Sequence, residues 1–183
     1  MSNAIKDVNL IMKKQLLPSR LFTFLLLFIV IFVSACGVYR FNDTSVNPNL
    51  KTIRINIIEN RAPYVNPQLS PSLTERLRQR VVNQTKLSQT NADNADLDVT
   101  GEIRDYAVTT SGISNQQAET NRLTVTIHIV VNNQLENNKQ EFNISRSFEF
   151  NASLSLQQAE NRLLEEMVKS LTDDIFNRMF STW

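Results

Sequence analysis

The sequence predicts an α+β domain in which two helices pack on one face of a four-stranded, mostly antiparallel sheet. Four segments after residue 50 alternate apolar and polar residues, as half-buried strands do. Two others repeat apolar residues at steps of three and four, as amphipathic helices do. Their order is strand, helix, three strands, helix. Because each strand has a single apolar face, we expect both helices to cover that face and the opposite face to stay polar and exposed.

A proline-containing loop separates the first strand from the first helix. The strand is predicted over residues 51–59, where isoleucines alternate with polar side chains, and the loop over 60–70. The helix is expected to begin at Ser70 and Pro71, because proline in the first helical position lacks only an amide hydrogen that has no partner within the helix. It should end near Thr85. Its apolar stripe comprises Leu73, Leu77 and Val81.

Three strands follow the first helix, separated by two polar connections. In the last of these strands, Arg146 stands where the alternation requires an apolar residue. We therefore expect either a β-bulge or a guanidinium at the rim of the sheet at that position. The strands are predicted over residues 97–108, 122–131 and 142–150, and the connections over 109–120, around Gly112, and 132–138.

A capping-box sequence opens the last and longest helix. Ser155 is followed three residues later by Gln158, and the helix is expected to extend to about Phe180. Burial of its long apolar face against the sheet, at roughly 25 cal/mol per Å², should be a leading source of stability. This face comprises Leu156, Ala159, Leu163, Met167, Leu171, Ile175 and Met179.

The N-terminal segment has the pattern of a bacterial lipoprotein signal. Its apolar core, Leu21–Val33, is short for a membrane-spanning helix, which needs roughly 20 residues, and basic residues precede it. Ser34 and Ala35 are small and lead to Cys36, the only cysteine of the chain and the position at which such signals are lipidated. The alternative is an uncleaved signal anchor with an ordinary cysteine.

Cleavage before the cysteine divides the chain into three parts. We predict a signal peptide over residues 1–35, a lipidated N-terminus with a short tether over 36–50, and the α+β domain over 51–183. Translation begins at Met1 or at Met12, because Met12 directly precedes two lysines that suit the start of a signal peptide.

Composition excludes several classes of function. The chain after residue 35 has 15 basic and 17 acidic residues, so its net charge of about −2 argues against a nucleic-acid-binding protein. Three glycines in the whole chain cannot form the glycine-rich loops that cradle phosphates. With a single cysteine no internal disulfide can form, so the core must hold the fold.

Titratable residues do not form a recognisable catalytic or metal site in the sequence. His128 is the only histidine and falls on the polar side of a strand, where we interpret it as a surface residue. One histidine and an acylated cysteine cannot make a metal-ligand set. Asp93, Asp96 and Asp98 lie close together, but the glycine and distal glutamate of a calcium loop are missing. We therefore predict no metal ion and no enzymatic activity.

Arginines are the more informative polar residues. Arg54, Arg104 and Arg122 all fall on the polar side of predicted strands, and a sheet can gather them into a cationic patch for bidentate phosphate contacts. The alternative is scattered charge that only solubilises the surface. The strand registers, which sequence does not provide, decide between the two.

Six short motifs in a fixed order resemble the LptE family of lipopolysaccharide-assembly lipoproteins, in its Bacteroidetes form. The resemblance covers essentially the whole chain after the signal, although no single motif is specific. Its fold, two helices on a four-stranded sheet, agrees with the periodicities described above. The motifs are residues 36–41, 60–62, 73–78, 95–103, 121–125 and 173–178, the last followed by Trp183.

The resemblance implies a non-enzymatic role in the outer membrane. Proteins of this family plug the lumen of the LptD β-barrel, help it to assemble and engage lipopolysaccharide on its way to the outer leaflet. Here Cys36 would carry a diacylglycerol and an N-acyl chain, such as palmitate, as the only attached group. The domain would then lie at the periplasmic side of the outer membrane or in the barrel lumen. Arg54, Arg104 and Arg122 are the residues that we predict to contact lipopolysaccharide.

Two other functions are open at this stage. One is a generic outer-membrane lipoprotein that binds a glycan or a periplasmic protein through its exposed sheet face. The other, a lipid-anchored enzyme, has less support because no nucleophile and base are placed together by any known spacing.

Overall fold

The computed structural model describes residues 47–114 and 117–180, which form an α+β domain with two helices. The predicted class is therefore confirmed. The signal peptide, Cys36 and most of the tether lie outside the described residues. In chain order the elements are β1 (Thr52–Ile55), β2 (Glu59–Asn60), α1 (Leu69–Gln84), β3 (Ser88–Gln89), β4 (Leu97–Ser114), β5 (Gln117–Asn133), β6 (Asn138–Asn151) and α2 (Leu156–Phe180).

The sheet is mixed and has six strands in the described residues, so the prediction of four mostly antiparallel strands is wrong in this respect. Strands β4, β5 and β6 form an antiparallel meander, whereas β1 pairs in parallel with both β3 and β4. Strand β2 also pairs in parallel with β4. The additional strands β2 and β3 have two residues each, which is too short for an alternating pattern to reveal them.

The predicted strand over 51–59 is interrupted between β1 and β2. Ile53 is fully buried as expected, but Ile57 is 63% exposed and Ile58 is buried in its place. Asn56 ties the interruption to β4, because its amide donates hydrogen bonds to Asp98 Oδ1 (2.9 Å) and to the carbonyl of Val99 (3.0 Å). A change of side-chain direction at this point moves the apolar residues from odd to even positions.

The predicted loop over 109–120 is instead the outer part of a long β4–β5 hairpin. The register continues through the pairs Val108–Leu123 and Thr110–Asn121 to the strand ends. Val108 lies on the same face of β4 as the buried Tyr106 but is 40% exposed, so this face of the sheet is no longer buried in the core beyond Val108. Threonine is a good strand former, so the outer hairpin can form strands without an alternation of apolar and polar residues. Its sequence therefore has the composition of a polar loop.

A register shift between Ile103 and Asp105 reverses the direction of side chains along β4. Ile103 and Tyr106 are therefore both buried although they are three residues apart. No such shift occurs in β6, which pairs with β5 without interruption. Of the two expectations for Arg146, the bulge is wrong and the guanidinium at the rim is confirmed. Its Nη2 donates to Asp174 Oδ1 of α2 at 2.7 Å.

Both helices cover one face of the sheet and share a single apolar core with it. The capping box is confirmed: the Ser155 amide donates to Gln158 Oε1 (3.0 Å), and the Gln158 amide donates to Ser155 Oγ (3.3 Å). No helix in the described ranges is long and apolar enough to cross a bilayer. The largest fully buried core side chains include Ile53, Leu69, Leu73, Leu77, Ile103, Leu123, Ile127, Ile129, Met167 and Leu171.

Candidate functional site

The sheet surface that faces away from the helices is the candidate functional site, and we call it the open face. Its centre is formed by two cross-strand pairs of hydroxyl groups on β5 and β6. Thr124 Oγ1 lies 2.9 Å from Ser147 Oγ, and Thr126 Oγ1 lies 3.0 Å from Ser145 Oγ. The hydroxyls of each pair satisfy one another, and this part of the face is polar and uncharged.

Beside these hydroxyls lies a shallow cavity of about 660 Å³, which we call the trough. Side chains from β1, β4, β5 and β6 line it, so it crosses the sheet. Its charges balance: the fixed cations are Arg54, Arg61, Arg104 and Lys139, and the carboxylates are Glu59, Asp98, Glu102 and Glu141. A surface of this kind attracts neither anions nor cations over long distances.

Arg54 is held in the trough by two carboxylates. Its Nε donates to Asp98 Oδ1 at 2.7 Å, and its Nη1 pairs with Asp93. The hydrogen bond to Asp98 and then that to Asp93 raise the pKa of Arg54. Asp98 stands directly opposite Arg54 in the β1–β4 register and is 9% exposed. These contacts fix the guanidinium to the sheet and offset its charge.

The other two predicted arginines are held more loosely and lie apart. Arg104 Nε donates to Glu102 Oε2 at 3.3 Å, and Arg122 Nη2 donates to Glu149 Oε1 at 3.0 Å. Both arginine side chains are about half exposed. The trough contains Arg54 and Arg104 but not Arg122. The structure thus brings two of the three arginines into one cavity, and their binding of phosphate stays a prediction.

His128 lies on the open face, where its partners come from β6. Its Nδ1 is 2.9 Å from Asn143 Oδ1, and its Nε2 is 3.7 Å from Glu141 Oε2. An ion pair with Lys139 is the main cause that lowers the pKa of Glu141, and His128 contributes less. Sequence reasoning missed these partners because only the β5–β6 register places them beside the ring.

The three neighbouring aspartates have separate structural roles. Asp93 and Asp98 hold Arg54, whereas Asp96 Oδ2 accepts hydrogen bonds from the amides of Lys51 (2.8 Å) and Thr52 (2.9 Å). These backbone hydrogen bonds lower the pKa of Asp96. In the part of the chain that the structure describes, no group of three or more His, Cys, Asp or Glu residues is suited to a metal ion.

A buried polar cluster links the β2–α1 loop to the start of α2. Tyr106 of β4 donates to Glu160 Oε1 at 2.7 Å, and Tyr64 of the loop donates to Glu160 Oε2 at 3.2 Å. Asn66 Nδ2 donates to the Tyr106 hydroxyl at 3.2 Å. Burial is the main cause that raises the pKa of Tyr106. No spacing in the sequence indicated this cluster, since Tyr106 and Glu160 are 54 positions apart.

Comparison with solved structures gives distant matches. A minor lipoprotein from Acinetobacter baumannii is 13% identical over 72% of this chain and 93% of its own, with a TM-score of 0.47. Lipoprotein B from Nitrosomonas europaea is 14% identical over 72% and 83%, with a TM-score of 0.47. A homologue of a neuraminyllactose-binding hemagglutinin from Helicobacter pylori is 11% identical over 70% and 81%, with a TM-score of 0.50, and shares the fold.

Comparison with curated proteins gives no match. The family model described as LptE, lipopolysaccharide-assembly, matches residues 50–179. This range begins just before β1 and ends within the last turn of α2, so it includes both helices and all six strands. The chain therefore belongs to the LptE family of lipopolysaccharide-assembly proteins.

Proposed function

We propose that this protein is a lipid-anchored outer-membrane lipoprotein that plugs an LptD-type β-barrel and helps to assemble it for lipopolysaccharide transport to the outer leaflet. The observation that carries the proposal is the family match over residues 50–179. The family acts in lipopolysaccharide assembly and not as an enzyme.

The open face has physical properties that suit contact with a barrel wall. The lumen of an outer-membrane barrel is polar and wet, so a partner inside it gains from many direct and water-mediated hydrogen bonds. The paired hydroxyls Thr124–Ser147 and Thr126–Ser145 present such groups at the sheet surface. The balanced charges of the trough avoid repulsion from a wall of either sign. We therefore assign the open face to the barrel.

The lipid anchor restricts where the domain can act. Cys36, acylated with a diacylglycerol and an N-acyl chain, lies 15 positions before Lys51, where the predicted α+β domain begins. A fully extended tether of that length spans at most about 50 Å. The domain would thus stay close to the inner surface of the outer membrane. Cys36→Ala should release it from the membrane while leaving it folded, which fractionation and circular dichroism would measure.

Affinity purification of the intact lipoprotein after crosslinking in cells tests the plug function. The expected result is recovery of a large β-barrel with the wild-type protein. Recovery of soluble periplasmic proteins alone would reject the plug and support the alternative, a generic lipoprotein that uses its exposed sheet face. Depletion gives an independent readout: surface lipopolysaccharide should fall before other envelope components.

Arg104 and Arg122 are the better of the three arginines for a test of direct lipopolysaccharide contact. Both are half exposed with one carboxylate partner each, so a phosphate can compete for the guanidinium. Reversing Arg54 would instead place a third negative charge beside Asp93 and Asp98 and damage the β1–β4 contact.

Binding of purified lipopolysaccharide to Arg104→Glu and Arg122→Glu makes this test. We expect about tenfold weaker binding, since a charge-assisted hydrogen bond contributes roughly 1.5 kcal/mol or more. Arg76→Glu, at an exposed position of α1, is the matched control. Unchanged binding in both Arg104→Glu and Arg122→Glu, or an equal loss in the control, would remove these arginines from the proposed site.

A further inference from the structure

Strand β6 forms a long free edge of the sheet. It pairs with β5 along all 14 of its residues, Asn138–Asn151, and within the described ranges no strand pairs with its other side. The opposite end of the sheet is β3, which has only two residues. An uncovered edge of this length presents a row of amides and carbonyls that another chain can pair with.

The sequence of β6 increases the tendency of this edge to pair with another chain. Its core-side positions include Phe142, Ile144, Phe148 and Phe150, and the strand contains neither proline nor glycine. Short segments with high strand propensity and low net charge pair readily with copies of themselves, and β6 has two basic and two acidic residues. The register with β5 is unbroken, so no bulge twists the edge away from a partner.

One charged residue interrupts the apolar row. Arg146 occupies a core-side position opposite Val125, and its guanidinium reaches α2, where Nη2 donates to Asp174 Oδ1 at 2.7 Å and Nε pairs with Asp174 Oδ2. The Arg146 side chain is 52% exposed, and that of Asp174 is 24% exposed. An added strand would cover part of the exposed Arg146 side chain, and removing water from its charge is costly. We propose that Arg146 guards the free edge of β6 against pairing with a second copy of this chain.

A second copy is the partner that fits this edge by charge. Two β6 strands paired antiparallel about Ile144 place Lys139 of each copy opposite Glu149 of the other, so the two ends of the contact are complementary. The same register places Arg146 opposite Phe142 on the core side. Arg146 is then the only charged residue in the row Phe142, Ile144, Arg146, Phe148 and Phe150, and it opposes the pairing.

Sedimentation of the membrane-extracted protein in detergent tests whether Arg146 prevents pairing of two β6 edges. Arg146→Val should form dimers at a concentration where the wild type is monomeric. Arg146→Lys should stay monomeric, because it keeps the charge. Asp174→Ala should also stay monomeric, because it breaks the contact with α2 while leaving the guanidinium at the edge. If Arg146→Val fails to fold, Arg146→Thr, which removes the charge with a polar strand former, takes its place.

A charge exchange tests the register of the dimer. In the Arg146→Val protein, Lys139→Glu should weaken the dimer at least tenfold, and adding Glu149→Lys should restore it. A folded Arg146→Val protein that stays monomeric would overturn the proposal. Equal association of Asp174→Ala and Arg146→Val would also overturn it, because the broken contact between sheet and helix, and not the lost edge charge, would then be the cause.

Discussion

The two faces of the sheet differ in what their side chains do. On the covered face, Ile127 and Ile129 of β5 have no exposed surface and pack in one core with Leu171 of α2. On the open face, Thr124 and Thr126 of the same strand are partly exposed and bind hydroxyls of β6. Alternate residues of one strand thus serve two different purposes. The covered face provides stability through apolar burial, and the open face provides a polar surface for recognition.

The largest expected effect is on the covered face, at α2. Leu171 is fully buried, so Leu171→Asp forces an unpaired charge into the core and should lower the free energy of unfolding by about 4 kcal/mol or abolish folding. Leu163 is only partly buried, so Leu163→Asp should cost less, about 1–2 kcal/mol. Chemical denaturation followed by circular dichroism measures both. Equal losses, or wild-type stability in Leu171→Asp, would show that α2 packs differently.

The next largest effect on stability is expected at the buried polar cluster around Tyr106. Tyr106→Phe removes the hydroxyl that donates to Glu160 Oε1, leaving a buried carboxylate with one partner fewer. We expect a loss of about 1–3 kcal/mol in the free energy of unfolding. Tyr64→Phe is the control, because Tyr64 is 42% exposed and its hydrogen bond to Glu160 is longer. A larger loss in the control would show that the hydrogen bond from Tyr64 of the loop stabilises Glu160 more than that from Tyr106.

Asp96 should make stability depend on pH. Its pKa is lowered in the folded state by the amides of Lys51 and Thr52, so its contribution is present above the unfolded pKa of about 4. That contribution is lost as the pH falls through the lowered pKa of the folded state. Asp96→Asn should therefore cost about 1 kcal/mol at pH 7 and progressively less as the pH falls below about 4. Denaturation from pH 2 to 7 measures this, and Glu166→Gln on α2 is the control. A loss independent of pH would contradict the assignment.

The smallest effect is expected at the centre of the open face. Thr126→Ala and Ser145→Ala remove one exposed hydroxyl pair and should each change the free energy of unfolding by about 0.5 kcal/mol or less. If the open face serves recognition, these variants keep their stability while barrel recovery falls. A stability loss comparable with that of Tyr106→Phe would mean that the open face also holds the fold together.

The sequence was sufficient to predict the elements with a long apolar repeat and insufficient to predict the short strands. Helix α2 and the inner part of β5 each repeat their apolar pattern many times, so their type and buried side followed from periodicity. Strands β2 and β3 have two residues each, and the sequence of the outer hairpin does not alternate apolar and polar residues, so neither region showed a strand pattern. The change of direction at Arg104 depends on a register shift that no local signal announces.

The sequence predicted which side chains lie on the open face but not which residues they contact. Strand parity was enough to direct Arg54 and His128 away from the core. Their partners depend on long-range pairing: Asp98 is 44 positions from Arg54, and Asn143 is 15 positions from His128. Arg54 and Arg104 each have a carboxylate partner, so the part of the predicted cationic patch that the structure assembles is a trough of balanced charge.

Site-specific photocrosslinking in living cells tests most directly the claim that the open face contacts the barrel. A photoreactive amino acid would replace Ser147 on the open face or, as the control, Glu165 on the outer surface of α2, both of which are exposed. We predict that Ser147 gives an adduct with a large outer-membrane β-barrel and that Glu165 gives less of it. Adducts of Ser147 with soluble periplasmic proteins alone, or barrel adducts from Glu165 alone, would contradict it.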